Sequence, residues 1–268
     1  MTKVLILGTG RMGKQIAKRI TFEEGMELVA AVDSPESPDL AKDIGVLAGV
    51  EPLNIFVESA ENLGDVIKES KPDVAVDFTS PDACLQNLQA VAENKVNVVC
   101  GTTGLGEDQK EELIHILKNN KVGAVMSPNM SVGVNVFWKL VGDAAQKLRD
   151  YDIEIVESHH RFKKDSPSGT ALKTAEIVND VLETDMDETS VYGRRGEWVR
   201  NKGEVGIHAV RGGDIVGEHT VLYATIGERI EITHRAHSRE AFVNGVVEAI
   251  RYVDGKKGVH GMNDVLGL

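Results

Sequence analysis

The sequence contains little cysteine, since Cys84 and Cys100 are the only two in 268 residues. Two cysteines cannot build a disulfide framework, and neither belongs to a CxxC pair of the kind that binds zinc. We therefore expect no metal site. The first residues, MTKVLILGTG, reach glycine too early for an export signal, and together these features predict a cytoplasmic location.

The sequence also lacks long apolar runs and an excess of positive charge. No stretch approaches the ~20 apolar residues of a transmembrane helix, so we expect no membrane contact. Lysine and arginine number 30 against 42 aspartate and glutamate, which gives a net charge of −12. A nucleic-acid partner would need a basic stripe, and we expect no such partner. An anionic small ligand would require a local positive field.

The first half of the chain alternates short apolar runs with amphipathic stretches. Predicted strands are residues 3–7, 28–32, 73–78, 96–100 and 123–126. Predicted helices are residues 13–24, 81–93 and 107–119. Such alternation is typical of a parallel sheet with helices on both faces.

The pattern changes after residue 127. Further helices are predicted at 132–148, 168–182 and 240–253, and strands at 152–158, 204–210, 215–225 and 228–236. Short turns between the last three strands favour an antiparallel meander. The predicted fold class is α/β, with a Rossmann-type parallel-sheet domain and a second α+β domain whose sheet is mixed and largely antiparallel. We place the first domain at 1–127, completed by a C-terminal helix at 238–268, and the second at 128–237.

A GxGxxG motif lies directly between the first predicted strand and the first predicted helix. Glycines permit the tight turn and let backbone N–H groups approach a pyrophosphate, to which the helix N-terminus adds about half a positive charge. The residues of the motif are Gly8, Thr9, Gly10, Arg11, Met12 and Gly13. The motif predicts a dinucleotide site, and a plain glycine turn is the alternative.

Asp33 follows the second predicted strand, 20 residues beyond Gly13. A carboxylate there accepts hydrogen bonds from a ribose and repels a 2′-phosphate. Ser34 comes next, where an arginine would favour NADPH. We therefore expect NADH as the preferred cofactor, with NADPH tolerated because Arg11 can reach a phosphate.

Two further loops follow predicted strands at the carboxyl edge of the sheet. The first contains Gly101, Thr102 and Thr103, and the second contains Ser127, Pro128, Asn129 and Met130. Loops at this edge line a nicotinamide pocket in some nucleotide-binding domains and are plain connecting turns in others. The pattern alone leaves both interpretations open.

Residues 156–171 read VESHHRFKKDSPSGTA. His159 is a candidate general acid, because imidazole titrates near neutral pH. On a continuing strand the rings of His159 and His160 would point to opposite faces. Lys163 and Lys164 offer positive charge to an anionic ligand.

The same segment ends in a predicted helix start. Ser168 is typical of an N-cap, and the N–H groups of Gly169 and Thr170 can hold a carboxylate. One short segment thus combines a proton donor, two ammonium groups and a helix N-terminus. A solvated polar loop before an ordinary capped helix is the alternative interpretation.

The segments EIVESHHRFKKDSPSGTA, GTTG, SPNMSVGVN and HAVRGGDIVGEH resemble the 4-hydroxy-tetrahydrodipicolinate reductases, formerly called dihydrodipicolinate reductases. The resemblance covers nearly the whole chain, and HHxxKxDxPSGTA is its most specific part. It implies an NAD(P)H-dependent oxidoreductase of lysine and diaminopimelate biosynthesis. That enzyme reduces 4-hydroxy-tetrahydrodipicolinate to tetrahydrodipicolinate with loss of water.

The resemblance also implies roles for individual residues. The glycine motif and Asp33 bind the cofactor, and the loops at 101–103 and 127–130 line its nicotinamide. His159 is the proton donor, and Lys163 binds substrate and assists protonation. The implied contacts of the dicarboxylate substrate are His160, Lys163, Ser168, Gly169 and Thr170. The second domain then binds substrate and forms the contacts of a homotetramer.

Two other functions fit parts of the pattern. Another two-domain dehydrogenase, of the aspartate or sugar type, would share the nucleotide motif. Sugar enzymes of that kind tend to carry a lysine–proline motif after the fourth strand, where this chain reads CGTTG. A nucleotide-sensing regulator would not need His159, Lys163 and the PSGTA turn together.

Overall fold

The computed structural model describes residues 1–197 and 199–268. They form two compact units, which we call the first unit (Met1–Val132 with Phe242–Leu268) and the second unit (Gly133–Ala241). In these two described ranges, no helix combines the length and the apolar character needed to cross a membrane.

The first unit contains a seven-stranded sheet in which every pairing is parallel. Its strands are β1 (Thr2–Leu7), β2 (Met26–Asp33), β3 (Val57–Ser59), β4 (Val74–Asp77), β5 (Asn97–Cys100), β6 (Gly123–Met126) and β12 (Gly258–His260). They lie in the order β12-β6-β5-β4-β1-β2-β3. The predicted Rossmann-type sheet is therefore confirmed.

Helices cover both faces of this sheet, as its apolar strands require. They are α1 (Arg11–Thr21), α2 (Ile44–Ala48), α3 (Leu63–Ser70), α4 (Pro81–Glu93), α5 (Glu107–Asn120), α9 (Glu240–Val253) and α10 (Met262–Leu266). Alternate residues of β1 face opposite sides, so that Val4 and Ile6 join one apolar core and Leu5 and Leu7 join the other. Loops at the carboxyl ends of β1, β4, β5 and β6 consequently meet at one edge of the sheet.

The second unit contains a five-stranded mixed sheet. Its strands are β7 (Asp152–His159), β8 (Ser190–Tyr192), β9 (Val205–Arg211), β10 (Gly217–Thr225) and β11 (Glu228–Ala236), and its helices are α6 (Val132–Lys147), α7 (Gly169–Leu182) and α8 (Met186–Thr189). The strand order is β11-β10-β7-β9-β8. Strand β10 pairs antiparallel with β11 and β7, whereas β9 pairs parallel with β7 and β8.

One detail of the predicted meander is wrong. Strands β9 and β10 are consecutive in the chain, but β7 lies between them in the sheet. Alternation along a strand indicates which face is covered and not which strand is its neighbour. On β7 the covered residues are Ile153, Ile155, Glu157 and His159. Ile153 and Ile155 pack in an apolar core with residues of α6 and α7.

Candidate active site

The glycine loop of the first unit forms an open anion cradle at the start of α1. Gly10 occupies the N-cap position, where no side chain caps the helix, and the first turn contains no acidic residue. The first N–H groups of a helix have no intrahelical acceptor. Gly8 has a φ of +90°, and a Cβ on Gly13 would lie 1.9 Å from the Gly8 carbonyl oxygen. The motif thus presents backbone donors where a pyrophosphate fits.

Two cavities adjoin this cradle. One, of about 770 Å³, is lined by residues that include Gly8, Gly10 and Asp33. The other has a volume of about 490 Å³, and its predicted lining residues are Gly10, Arg11, Met12, Gly101, Thr102, Thr103, Pro128, Asn129 and Met130. The two cavities share Gly10, Phe78 and Thr79. Together they suit an extended dinucleotide.

Three residues predicted to bind cofactor do not line these two cavities. Thr9 and Gly13 are buried. Ser127 lines a neighbouring cavity of about 630 Å³ with Lys110 and His260. Ser127 Oγ donates to the Asn129 carbonyl and so shapes the loop.

Asp33 is held in the first unit by four donors. Its carboxylate accepts hydrogen bonds from Thr9 N and Oγ1, from Ser34 N at 2.8 Å and from Ser37 Oγ at 3.1 Å. Burial raises the pKa of Asp33, but these donors outweigh burial and lower the pKa below its usual range. Oδ1 receives only Ser34 N of these donors, so it retains capacity for a ribose hydroxyl.

Asp77, at the end of β4, is a structural residue that the sequence analysis missed. It is fully buried and accepts hydrogen bonds from Thr102 Oγ1 at 2.5 Å and from Thr79 Oγ1 at 3.0 Å. Thr79 N in turn donates to Thr102 Oγ1 at 2.9 Å. Asp77 therefore ties together two loops that line the two cavities, and the Thr102 hydroxyl is turned inward.

Asp77 also lies beside the two cysteines. Cys84 Sγ and Cys100 Sγ are 3.6 Å apart and both are buried. These three residues are the only group of closely spaced potential metal ligands in the described ranges. Hydroxyl donors already occupy the carboxylate of Asp77, and burial raises its pKa.

In the second unit, β7 ends at His159, and Glu157 lies two residues earlier on the same face. His159 Nδ1 is 2.6 Å from Glu157 Oε2. Burial lowers the pKa of His159, as do the charges of Lys163 and Arg211, whereas Glu157 opposes the shift. Geometry thus places a histidine with its own carboxylate partner at the predicted site.

Arg211 clamps the Glu157 carboxylate with two parallel hydrogen bonds of 2.8 and 2.7 Å. The parallel register of β9 with β7 sets this contact, since it aligns Arg211 with His159. Glu157 is fully buried, and burial raises its pKa, but Arg211, His159 and Ser168 N outweigh burial and lower it. The carboxylate therefore stays ionised inside the fold.

Ser168 caps α7 as predicted, and its Oγ accepts from Ala171 N at 3.2 Å. Its own N–H donates to Glu157 Oε1 at 3.0 Å. His219, opposite Glu157 on β10, places Nε2 3.1 Å from Ser168 Oγ. Burial and the neighbouring His159 lower the pKa of His219 to about 3. His219 is thus a neutral ring against the helix cap.

The remaining predicted residues lie around this cap. Lys163 Nζ forms a 2.9 Å ion pair with Asp165, whereas Lys164 is exposed. Gly169 is exposed and Thr170 is half-buried in the first turn of α7. His160 Nδ1 is buried and has no hydrogen-bond partner within residues 1–197 and 199–268. The segment 159–170 thus gathers the predicted acid, lysine and helix start in one unit.

Glu157, Arg211 and His219 are the residues of this site that sequence reasoning missed. A signal for Glu157 existed, because Ile153, Ile155 and Glu157 share one face by the alternation of β7. A carboxylate in line with buried isoleucines must be paired. Its partner Arg211 comes from a strand 54 residues away, which alternation cannot reveal.

Known proteins of one family are similar to this chain over nearly its whole length. The family described as "Dihydrodipicolinate reductase, N-terminus" matches residues 2–130, and "Dihydrodipicolinate reductase, C-terminus" matches residues 133–266. A 4-hydroxy-tetrahydrodipicolinate reductase of Methanocaldococcus jannaschii is 51% identical, over 100% of this chain and 98% of its own. One from Methanococcus aeolicus is 48% identical, over 100% and 99%.

A solved structure extends the likeness to three dimensions. The dipicolinate-bound dihydrodipicolinate reductase of Paenisporosarcina sp. TG-14 superposes with a TM-score of 0.79 at 29% identity, covering 97% of each chain. The likeness therefore extends over nearly the whole of both chains.

Proposed function

The chain belongs to the dihydrodipicolinate reductase family, and we propose that it reduces 4-hydroxy-tetrahydrodipicolinate to tetrahydrodipicolinate with loss of water. This reaction serves lysine and diaminopimelate biosynthesis. The observation that carries the proposal is the geometry of the second unit. There a carboxylate-paired histidine, a lysine and a capped helix start are gathered in the segment 159–170.

Each unit has its own part in the reaction. The first turn of α1 would hold the cofactor pyrophosphate, and Asp33 would hold the adenosine ribose. A bound dihydronicotinamide would supply the hydride, which C4 of the conjugated imine formed by loss of water would accept. Lys163 and the N–H groups at the start of α7 hold the substrate carboxylates, with His160 and Ser168 as further contacts.

His159 supplies the proton that completes the reduction. Its Nδ1 donates to Glu157, so an imidazolium at this position carries its transferable proton on Nε2. The enamine-like carbon takes that proton, and Lys163 assists by stabilising the bound anion. His159 returns to its neutral form and is recharged from solvent.

We also propose NADH as the preferred cofactor, because the ionised Asp33 repels a 2′-phosphate. Replacing Asp33 with serine is expected to raise kcat/KM for NADPH relative to NADH by about tenfold, the effect of removing one unfavourable charge contact. Steady-state kinetics with both cofactors measure the ratio. A wild-type enzyme that already favours NADPH would contradict this assignment.

The decisive test of the reaction uses substrate made in situ from aspartate semialdehyde and pyruvate by the upstream synthase. The wild-type chain should oxidise NADH only when all components are present. No oxidation of either NADH or NADPH would refute the proposed reaction. Omission of the synthase is the matched control.

A cytoplasmic homotetramer completes the proposal. Exposed apolar side chains at the β10–β11 hairpin, Ile226 and Ile230, support a subunit contact through the second unit. Light scattering should give the mass of four 29.1 kDa chains, and a monomer or dimer would contradict the proposal.

A further inference from the structure

We propose that Glu157, clamped by Arg211, is a positioning residue that sets the tautomer and proton affinity of His159 and anchors the first turn of α7. Its catalytic meaning rests on the proposed role of His159 as proton donor. The positioning itself is a property of the unliganded chain and can be tested there.

The tautomer follows from the donor and acceptor inventory. An ionised carboxylate only accepts hydrogen bonds, so the contact of 2.6 Å between Glu157 Oε2 and His159 Nδ1 places a hydrogen on Nδ1. In the neutral ring Nε2 then carries the lone pair, and in the imidazolium it carries the transferable proton. Gly217 keeps this atom accessible, because a Cβ there would lie 3.1 Å from Nε2.

The proton affinity of His159 depends on the charges that surround it. Burial and the positive charges of Arg211 and Lys163 disfavour the imidazolium. Asp165 pairs with Lys163, and His219 is a neutral neighbour whose ring centroid lies 5.2 Å away. The next ring outward, His234 on β11, is half-buried, and burial lowers its pKa as well.

Glu157 is the acidic side chain that opposes these effects by direct contact. Among residues 1–197 and 199–268, it is the only carboxylate that forms an ion pair with His159. Without it, the ring would face only positive or neutral side chains. A histidine without that partner would deprotonate at lower pH, so a smaller fraction of it would carry the transferable proton at neutral pH.

The second oxygen of Glu157 gives the residue its other role. Oε1 accepts the Ser168 N–H at 3.0 Å, immediately before the first turn of α7. The same carboxylate therefore fixes the proton donor through one oxygen and the predicted anion-binding helix start through the other. Arg211 contacts both oxygens and also donates to the Asp165 carbonyl at 2.7 Å, which ties the intervening loop to the pair.

The experiment is a titration of the full-length, unliganded chain labelled with ¹⁵N-histidine and followed by NMR. His159→Asn assigns the resonances of the ring. In the wild type we expect the Nδ1–H tautomer at high pH. In Glu157→Gln we expect the pKa of His159 to fall by about one pH unit or more, as loss of an adjacent opposite charge requires.

Glu154→Gln is the matched control. Glu154 lies on the same strand and also binds arginine and histidine, but it faces the other side of the sheet. This variant should leave the titration of His159 unchanged. An Nε2–H tautomer in the wild type, or an unchanged pKa in Glu157→Gln, would overturn the proposal.

Arg211→Met keeps the inference testable if Glu157→Gln does not fold. Removing this positive charge should raise the pKa of His159, in the opposite direction to Glu157→Gln. A fall or no change would overturn the proposal.

The activity assay separates this inference from the proposed reaction. In Glu157→Gln, kcat should fall and the basic limb of its pH profile should move to lower pH. The KM for substrate should also rise, because the first turn of α7 loses the carboxylate that holds Ser168 N–H. If the wild-type His159 titrates as expected but the chain reduces no substrate, the positioning role of Glu157 stands and only the proposed reaction is refuted.

Discussion

Glu154 and Glu157 lie three residues apart on β7, and each carboxylate binds arginine and histidine. Glu157 faces α6 and α7, is fully buried, and holds Arg211 and His159. Glu154 faces the other side, is 21% exposed, and holds Arg194, Arg200 and His208. Three residues along a strand reverse the face, so one sequence motif yields two environments.

Burial, and not the identity of the residues, therefore decides what such a charged cluster can do. On the outer face water screens the charges, and the cluster stabilises the protein weakly. On the inner face every charge must be matched, and the same residues fix a tautomer and a helix start.

The two histidines should differ most in catalysis. His159→Asn is expected to lower kcat by about 10²- to 10⁴-fold, the usual contribution of a general acid. His208→Asn should leave kcat within about twofold, because its ring is hydrogen-bonded to Glu154 of the outer cluster. Steady-state kinetics on both variants measure the contrast. Equal losses of kcat in the two variants would show that His159 has no special catalytic role.

The two arginines should differ in stability. Arg211→Met leaves a fully buried carboxylate short of its charge partner and should lower the free energy of unfolding by about 3 kcal/mol. Arg194→Met should cost less than about 1 kcal/mol, because Glu154 keeps Arg200 and His208. Urea denaturation at pH 7.5 gives both values. A larger loss in Arg194→Met would reverse the comparison.

The pH dependence of stability should separate the two faces. His219, beside Glu157, has a pKa of about 3 in the fold, below the 6.5 of a free imidazole. Between these values the unfolded chain binds the extra proton, so its contribution to stability is complete above pH 6.5 and is lost as pH falls. From pH 6.5 to 5 the loss is about 2 kcal/mol.

Glu154 acts in a lower pH window. Burial raises its pKa, but hydrogen bonds from Arg194, His208 and Arg200 outweigh burial and lower the pKa to about 2. Its contribution to stability is present above pH 4.5 and is lost as pH falls toward 2.

The His219 prediction is tested by denaturation of His219→Phe. The free energy of unfolding of this variant should depend less on pH between pH 6.5 and 5 than that of the wild type. A profile that stays steep there would assign the loss to another group.

The smallest contrast concerns the adjacent lysines. Lys163 is 21% exposed and pairs with Asp165, whereas Lys164 is exposed. Lys163→Met should raise the substrate KM by about tenfold, which corresponds to ~1.4 kcal/mol of lost binding. Lys164→Met should change KM less than about twofold. Initial-rate measurements of the substrate KM in both variants test this contrast. A larger rise of KM in Lys164→Met would assign the substrate carboxylate contact to Lys164 instead of Lys163.

Much of the fold could be predicted from the sequence. Residues 81–93, 123–126, 228–236 and 240–253 have the predicted bounds, because their periodic or apolar patterns are strong. Short elements such as β3, β12, α2 and α10 escaped prediction, since three to five residues show no clear period. The eight-residue α3, with its polar sequence LGDVIKES, escaped as well.

The candidate site was predictable only in part. His159, Lys163 and the Ser168 cap follow from local chemistry within one segment. The Glu157–Arg211 pair depends on the parallel register of β7 with β9, a long-range contact that no local pattern encodes. Asp77 was missed for a related reason, because its partner Thr102 lies on the loop after the next strand.

The Glu157–Arg211 pair also constrains how this sequence can change over time. Replacing the arginine alone strands a buried anion, and replacing the glutamate alone leaves a guanidinium against a protonatable ring. Either single replacement therefore gives a less stable protein, even where a double replacement would pack well. The two positions are therefore expected to change together in related sequences, although they lie 54 positions apart in the chain.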